Sequence, residues 1–202
     1  VNRFLPYALI AAGLSMPAIA AAAPVLGQQA PAFTLLNTSG KPVTLADYKG
    51  KTVILEWTNP GCPFVRAHYD SGNMQATQTK AREAGAVWLT INSGAPGKQG
   101  HMNGKEAQAQ MAADRTTPSH YLLDPKGIVG TLYAAKTTPQ IFVIRPDGKL
   151  AYDGAINDRP TAETTDALAG HNYALATLAS VTSGKDPAPA RTKPYGCSVK
   201  YP

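Results

Sequence analysis

Cys62 and Cys197 are the only two cysteines in this 202-residue sequence, and they are its strongest candidates for chemistry. Cys62 follows the apolar run Val53-Ile54-Leu55-Glu56-Trp57 and the breaker Asn59-Pro60-Gly61. Pro63 comes next, and proline suits the first turn of a helix. A cysteine at a helix start sits among free backbone N–H groups, at the positive end of the helix dipole. Both favour the thiolate, the form that attacks peroxides and disulfides. Cys197 lies near the C-terminus, in Gly196-Cys197-Ser198. Two thiols in one chain can pair, as a permanent staple or as a redox couple. Zinc would need further ligands at the usual spacing, and His68, His101, His120 and His171 form no such cluster.

Other residues stand near this chemistry in sequence. Thr138-Pro139 precedes the apolar run Ile141–Ile144. A proline just before a core strand is a candidate cis peptide that turns the backbone toward a site at the sheet's end. Arg66 falls one helical turn beyond Cys62, where a guanidinium could lower the thiol pKa or simply be solvated. Glu56 ends the core strand, where a carboxylate could relay protons or, by strand alternation, face solvent. Trp57 could line the site or pack. His68 reads as a surface or packing residue, and Asp158-Arg159 as a local ion pair.

The elements that must position these residues follow from patterning. Phe33–Leu36 and Val43–Leu45, joined through Ser39-Gly40, predict a hairpin. Val53–Trp57 and Ala86–Asn92 are apolar runs of buried-strand type. A helix is predicted from Cys62 to Ala84, kinked near Ser71-Gly72 and ended by Gly85. Ser93–Asn103 is glycine-rich and loop-like. Lys105–Ala113 predicts a helix, Tyr121–Leu123 a short strand and Gly127–Ala135 a short helix. Ile141–Ile144, the Pro146-Asp147-Gly148 turn and Leu150–Tyr152 predict a second hairpin. His171–Val181 predicts a helix, and Ser183–Pro194 an ordered but irregular, proline-rich tail. A β-α-β start and a β-β-α finish imply a mixed central sheet covered by helices.

Bulk properties narrow the function. Hydrophobic residues are 44% of the chain, enough for one sizeable core. The formal charge is +6, but no Lys/Arg block interleaves with aromatics, which argues against nucleic-acid binding. Arg3, the apolar stretch Phe4–Leu14 and Ala18-Ile19-Ala20 read as a secretory signal over residues 1–23, cleaved between Ala20 and Ala23. Val1 reads as an alternative start codon. The apolar stretch is shorter than the ~20 residues that span a bilayer. The expectation is an exported, periplasmic protein with no membrane span after cleavage and one domain over residues 24–202.

The pieces together resemble a known family. Gly27-Gln28-Gln29-Ala30-Pro31-Ala32-Phe33-Thr34-Leu35 is similar to the opening of redoxins, the alkyl hydroperoxide reductase/thiol-specific antioxidant branch of the thioredoxin superfamily. Gly40–Leu45 and Asp47–Lys51 continue it in order. Thr138–Ile144 with Asp147-Gly148-Lys149 resembles the cis-proline strand of thioredoxin-like proteins. Gly196–Tyr201 resembles the ending of a peroxiredoxin-like subgroup. The resemblance covers Leu26 to Tyr201. Two positions depart from it. Asn59 stands where thioredoxins have the first cysteine of Cys-x-x-Cys and where peroxiredoxins have Thr or Ser. Pro139 stands where peroxiredoxins have Arg.

The resemblance implies an α/β, thioredoxin-like fold: a central mixed sheet flanked by helices, with an N-terminal hairpin extension and a C-terminal tail. It implies an antioxidant oxidoreductase in which Cys62 reduces peroxides and Cys197 is the resolving thiol. The implied substrate groove is Asn59, Pro60, Gly61, Pro63, Thr138 and Pro139, with Arg66 and Glu56 as thiolate-tuning candidates. No cofactor is expected, because sulfur carries the electrons. The implied partners are a peroxide or disulfide substrate and a thioredoxin-like thiol reductant. Two alternatives stay open: a thiol-disulfide oxidoreductase acting on protein disulfides, and a non-catalytic redoxin whose Cys62–Cys197 bridge is structural.

Overall fold

The computed structural model describes residues 23–202. The secretory features at Arg3, Phe4–Leu14 and Ala18-Ile19-Ala20 lie outside them. The first hairpin pairs β1 (Thr34–Asn37) with β2 (Pro42–Thr44). β3 (Val53–Trp57) is followed by α1 (Pro63–Asp70) and α2 (Asn73–Glu83), which leads into β4 (Val87–Asn92). The helix expected over Cys62–Ala84 is thus two helices. Gly72 adopts φ +79°, a left-handed conformation that ends one helix and opens the next. Next come α3 (Gly104–Ala113), β5 (His120–Leu123), α4 (Ile128–Leu132) and the two-residue β6 (Thr137–Thr138). β7 (Gln140–Ile144) and β8 (Leu150–Gly154) form the second hairpin. α5 (Thr164–Ala169), α6 (Tyr173–Thr182) and β9 (Cys197–Ser198) complete the chain. α5 is unpredicted, because six residues are too few for apolar periodicity to show.

Seven strands form one mixed sheet in the order β2-β1-β5-β4-β3-β7-β8. β3, β4 and β5 are parallel, while β7 runs antiparallel to β3. This difference in direction builds the site. β3 finishes at the sheet end where β7 begins, with Trp57 opposite Gln140. The segment after β3 and the segment before β7 therefore meet at that end. Strand alternation divides the core. Val53, Leu55 and Trp57 pack with Phe142, Tyr133 and Val129 on one face. Ile54 packs with Val65, Met74, Trp88, Val143 and Leu178 on the other, beneath α1, α2 and α6. Trp57 belongs to the first face: it is fully buried, 5.2 Å from the Phe142 ring, and donates to Ser93 Oγ at 3.1 Å. Its role is packing. Among the described residues no helix is long and apolar enough to cross a membrane.

Candidate active site

Cys62 is the N-cap of α1, with Pro63 in the first turn. The turn before it is built by Asn59. The Asn59 carbonyl accepts the Cys62 N–H at 3.0 Å, and Asn59 Oδ1 accepts the Gly61 N–H at 2.8 Å. The insert loop covers this turn: Asn59 Nδ2 donates to the Gln99 carbonyl at 3.3 Å, and Gln99 Nε2 donates back to the Gly61 carbonyl at 2.7 Å. Gly100 must be glycine here, because its φ is +79° and a β-carbon would come within 1.8 Å of Asn59 Oδ1. Pro60 is half-buried, while Gly61 and Pro63 are exposed.

The Thr138-Pro139 peptide is cis, and both residues are buried. Cys62 Sγ lies 3.2 Å from the Thr138 carbonyl oxygen, the acceptor for its S–H. The C-terminal chain arrives at the same place. Strand β9 pairs antiparallel with β6, setting Cys197 opposite Thr138 and Ser198 opposite Thr137. Gly196 makes the close approach possible, since at φ +117° any β-carbon would come within 2.0 Å of the Thr138 carbonyl oxygen. Cys62 is fully buried and Cys197 partly exposed; both are free thiols, and Cys197 packs against the buried cluster that holds Cys62.

The two thiols are electrostatically unlike. Burial raises the Cys62 pKa. Hydrogen bonding at its sulfur, from Cys197 first and then from the Val65 backbone and Thr138, outweighs burial, so the net shift is downward. Cys197 is pushed up to about 11, by burial first and then by its contact with the Cys62 sulfur; Lys200 offsets this in part. The two surroundings therefore shift the thiols in opposite directions, Cys62 down and Cys197 up.

Two residues expected to tune the thiolate stand elsewhere. Arg66 is paired with Asp70, one turn along α1, and with Asp114 at 2.9 Å, and it lies over the Tyr69 ring. Among the described residues its guanidinium donates to those two carboxylates and to neither cysteine. Glu56 is fully buried rather than solvent-facing. Its carboxylate accepts from Tyr69 Oη (2.7 Å), Trp88 Nε1 (2.8 Å), Thr90 Oγ1 (2.9 Å) and Gln78 Nε2 (3.2 Å). Burial raises its pKa, and those four donors hold it down in part. Its partners tie α1 and α2 to the sheet, and none is a cysteine. Asp158 and Arg159 form a loose local ion pair at 3.8 Å. Among the described residues no three His, Cys, Asp or Glu side chains gather as metal ligands.

The tail is ordered, as expected, and specific contacts hold it. Tyr195 packs against Phe64 of α1, and its hydroxyl is 3.0 Å from Nε2 of the buried His68. Val199 and Tyr201 are fastened to the segment before β6. Sequence reasoning missed Tyr195. An aromatic between Pro194 and Gly196 in a polar stretch was the available signal, and it does not name a partner.

The sequence pattern of the AhpC/TSA family matches residues 26–153, more than half of the chain and a span that includes Cys62 and Pro139. The chain belongs to the AhpC/TSA family. It is also 31% identical over 110 residues to a Haemophilus influenzae protein described as peroxiredoxin bcp. That match covers 52% of this chain and 66% of the relative, just short of two thirds of its length. Among solved structures, an uncharacterized conserved protein from Geobacillus kaustophilus is similar at TM-score 0.74 and 27% identity, covering 94% of this chain and 98% of that one. The thioredoxin domain of a thiol-disulfide oxidoreductase from Bacteroides vulgatus is similar in fold at TM-score 0.52 and 20% identity, covering 64% of this chain and 87% of its own. The AhpC/TSA chain thus has the thioredoxin-like α/β fold, a mixed sheet with flanking helices. The family match stops at residue 153, so it does not reach the tail that brings Cys197 to Cys62.

Proposed function

We propose that this AhpC/TSA chain is an antioxidant thiol peroxidase in which Cys62 reduces a peroxide and Cys197 resolves the product. The observation that carries the reading is the pair itself: a buried cysteine at a helix N-cap, and a second, more exposed free thiol that strand pairing with Thr138 brings to the same place. The Cys62 thiolate attacks one peroxide oxygen. The O–O bond breaks, alkoxide or hydroxide leaves and takes from solvent the proton that the Cys62 thiol gave up to it, and Cys62 becomes a sulfenic acid. The Cys197 sulfur then displaces hydroxide from that sulfenic acid. Its own proton completes the departing water, and a Cys62–Cys197 disulfide remains.

A dithiol reductant of thioredoxin-like type returns both sulfurs to thiols. It enters at Cys197, the partly exposed sulfur, because this releases Cys62, whose lower pKa makes it the better leaving group. The burial of Cys62 favours a small oxidant over a protein disulfide. Cys197 is open to a larger partner, but its raised pKa makes it a poor first nucleophile. The groove role of Pro60, Gly61, Pro63, Thr138 and Pro139 belongs to the same proposal, with Asn59 shaping the turn from within. The domain over residues 24–202 and export to an oxidising compartment complete it, and N-terminal sequencing of protein from cells is expected to begin between Ala21 and Pro24.

The experiment is mass spectrometry of Cys62→Ser and Cys197→Ser after one equivalent of peroxide, and separately of a model disulfide. Cys197→Ser is expected to trap a sulfenic acid at Cys62 with peroxide, and Cys62→Ser to stay unmodified. Modification by the disulfide alone would make the chain a thiol-disulfide oxidoreductase. Modification by neither would leave a structural bridge.

A further inference from the structure

Cys197 stands between two anchors. Downstream, the Val199 N–H donates to the Lys136 carbonyl at 3.0 Å, and the Lys200 carbonyl accepts the Ala95 N–H at 2.8 Å. Tyr201 donates to the Ala135 carbonyl at 2.7 Å and lies on Gly127 and Gly130, where β-carbons would come within 2.6 and 2.5 Å of it. Upstream, the anchor is Tyr195, two residues before Cys197. Its ring packs on Phe64 with centroids 6.0 Å apart. Its hydroxyl lies 3.0 Å from His68 Nε2 and donates to Asn157 Oδ1.

The direction of these bonds is set by donor chemistry. The Asn73 amide nitrogen, a donor only, is 2.7 Å from His68 Nδ1. Nδ1 is therefore the acceptor, and the neutral ring carries its proton on Nε2. The donors run one way: Asn73 to His68, His68 to Tyr195, Tyr195 to Asn157. His68 and Phe64 are on α1, the helix that Cys62 caps. One helix thus holds the reactive sulfur and grips the tail that brings the second. The β6–β9 ladder is only two residues long, too short to fix a strand without such anchors.

We propose that Tyr195, locked between His68 and Asn157, is the positioning residue that presents Cys197 to Cys62. The inference rests on the redox-couple reading above. In the resolving step the Cys197–Cys62 S–S bond forms, the sulfenic S–O bond breaks, and hydroxide leaves with the Cys197 proton as water. The step is intramolecular, so its rate and equilibrium scale with how often the two sulfurs are aligned. A merely structural contact would lower the stability of the thiol and disulfide forms alike, leaving the potential in place.

Tyr195→Phe keeps the ring and removes both hydrogen bonds. The disulfide's equilibrium constant against glutathione is expected to fall about tenfold, a potential about 30 mV less negative. After one equivalent of hydrogen peroxide, the Cys62 sulfenic acid captured by a 1,3-dione is expected to rise several-fold. His68→Leu is expected to follow Tyr195→Phe. His68→Gln, which keeps a donor near the Nε2 position, is expected to return to wild-type values. Asn157→Ala is read the same way should Tyr195→Phe not fold. Folded Tyr195→Phe and His68→Leu proteins with wild-type equilibrium and capture would overturn the proposal. A wild-type protein that forms no Cys62–Cys197 disulfide in the glutathione series would instead overturn the redox-couple reading.

Discussion

Two chemically identical thiols differ here because of what surrounds each. At Cys62 hydrogen bonding outweighs burial and lowers the pKa; at Cys197 burial and the neighbouring sulfur raise it. His68 shows how strongly burial acts when no acid compensates. Its pKa is lowered from 6.5 to about 4, by burial. The sign of the linkage follows. In the unfolded chain His68 takes a proton as pH falls through about 6.5, while the folded chain holds it neutral until about 4. Its contribution to stability is present above about 6.5 and is lost as pH falls toward 4. The depressed pKa corresponds to about 3 kcal/mol at most. Urea unfolding of wild type and His68→Gln across that window is the check. The wild type is expected to lose more stability than the variant, with the gap changing by up to about 3 kcal/mol. Parallel pH profiles would show that His68 does not titrate this way.

At the scale of elements, the turn before α1 and the insert loop form one unit. Asn59 holds the turn, and the Gln99-Gly100 backbone closes over Asn59. Gly100→Ala forces a β-carbon onto Asn59 Oδ1 in a left-handed backbone, so Asn59 must leave its position. The expected loss is at least about 2 kcal/mol, from backbone strain and broken side-chain hydrogen bonds. Cys62 is expected to lose its depressed pKa as its helix cap shifts. Urea unfolding reads the first effect, and the pH dependence of thiolate absorbance in a Cys197→Ser background reads the second. A Gly100→Ala protein of wild-type stability would show that the loop does not brace the turn.

Across the whole molecule, Cys62 and Cys197 meet because the sheet end gathers the segment after β3, the segment before β7 and the tail. The two thiols already lie at the same place in the reduced protein, so closing the bond demands little movement. The bond would close a loop of roughly 130 residues, and the chain-entropy model puts the gain near 5 kcal/mol as an upper figure. The oxidised protein is accordingly expected to be more stable than the reduced protein by up to about 5 kcal/mol. Denaturant midpoints with and without a dithiol measure this. Equal midpoints with the bond shown to be formed would mean that the disulfide strains the native structure.

The local chemistry of the chain is written in its sequence. The apolar runs at Val53–Trp57 and Ala86–Asn92, the breaker before Cys62 and the hairpin at Pro146-Asp147-Gly148 are short-range signals, and each produces its element. Cys62 at a helix start is legible for the same reason: strand, breaker, cysteine and proline are neighbours in the chain. What surrounds the sulfur is a matter of long-range packing. Arg66 is drawn to Asp114 and Glu56 into the sheet-facing core, since each needs partners that lie far along the chain. The tail's composition names no partners, and only the tertiary structure places Tyr195 against His68 and Cys197 against Thr138. Propensity and periodicity act over a few residues; the contacts that pair the two thiols form when the strands choose their direction and order.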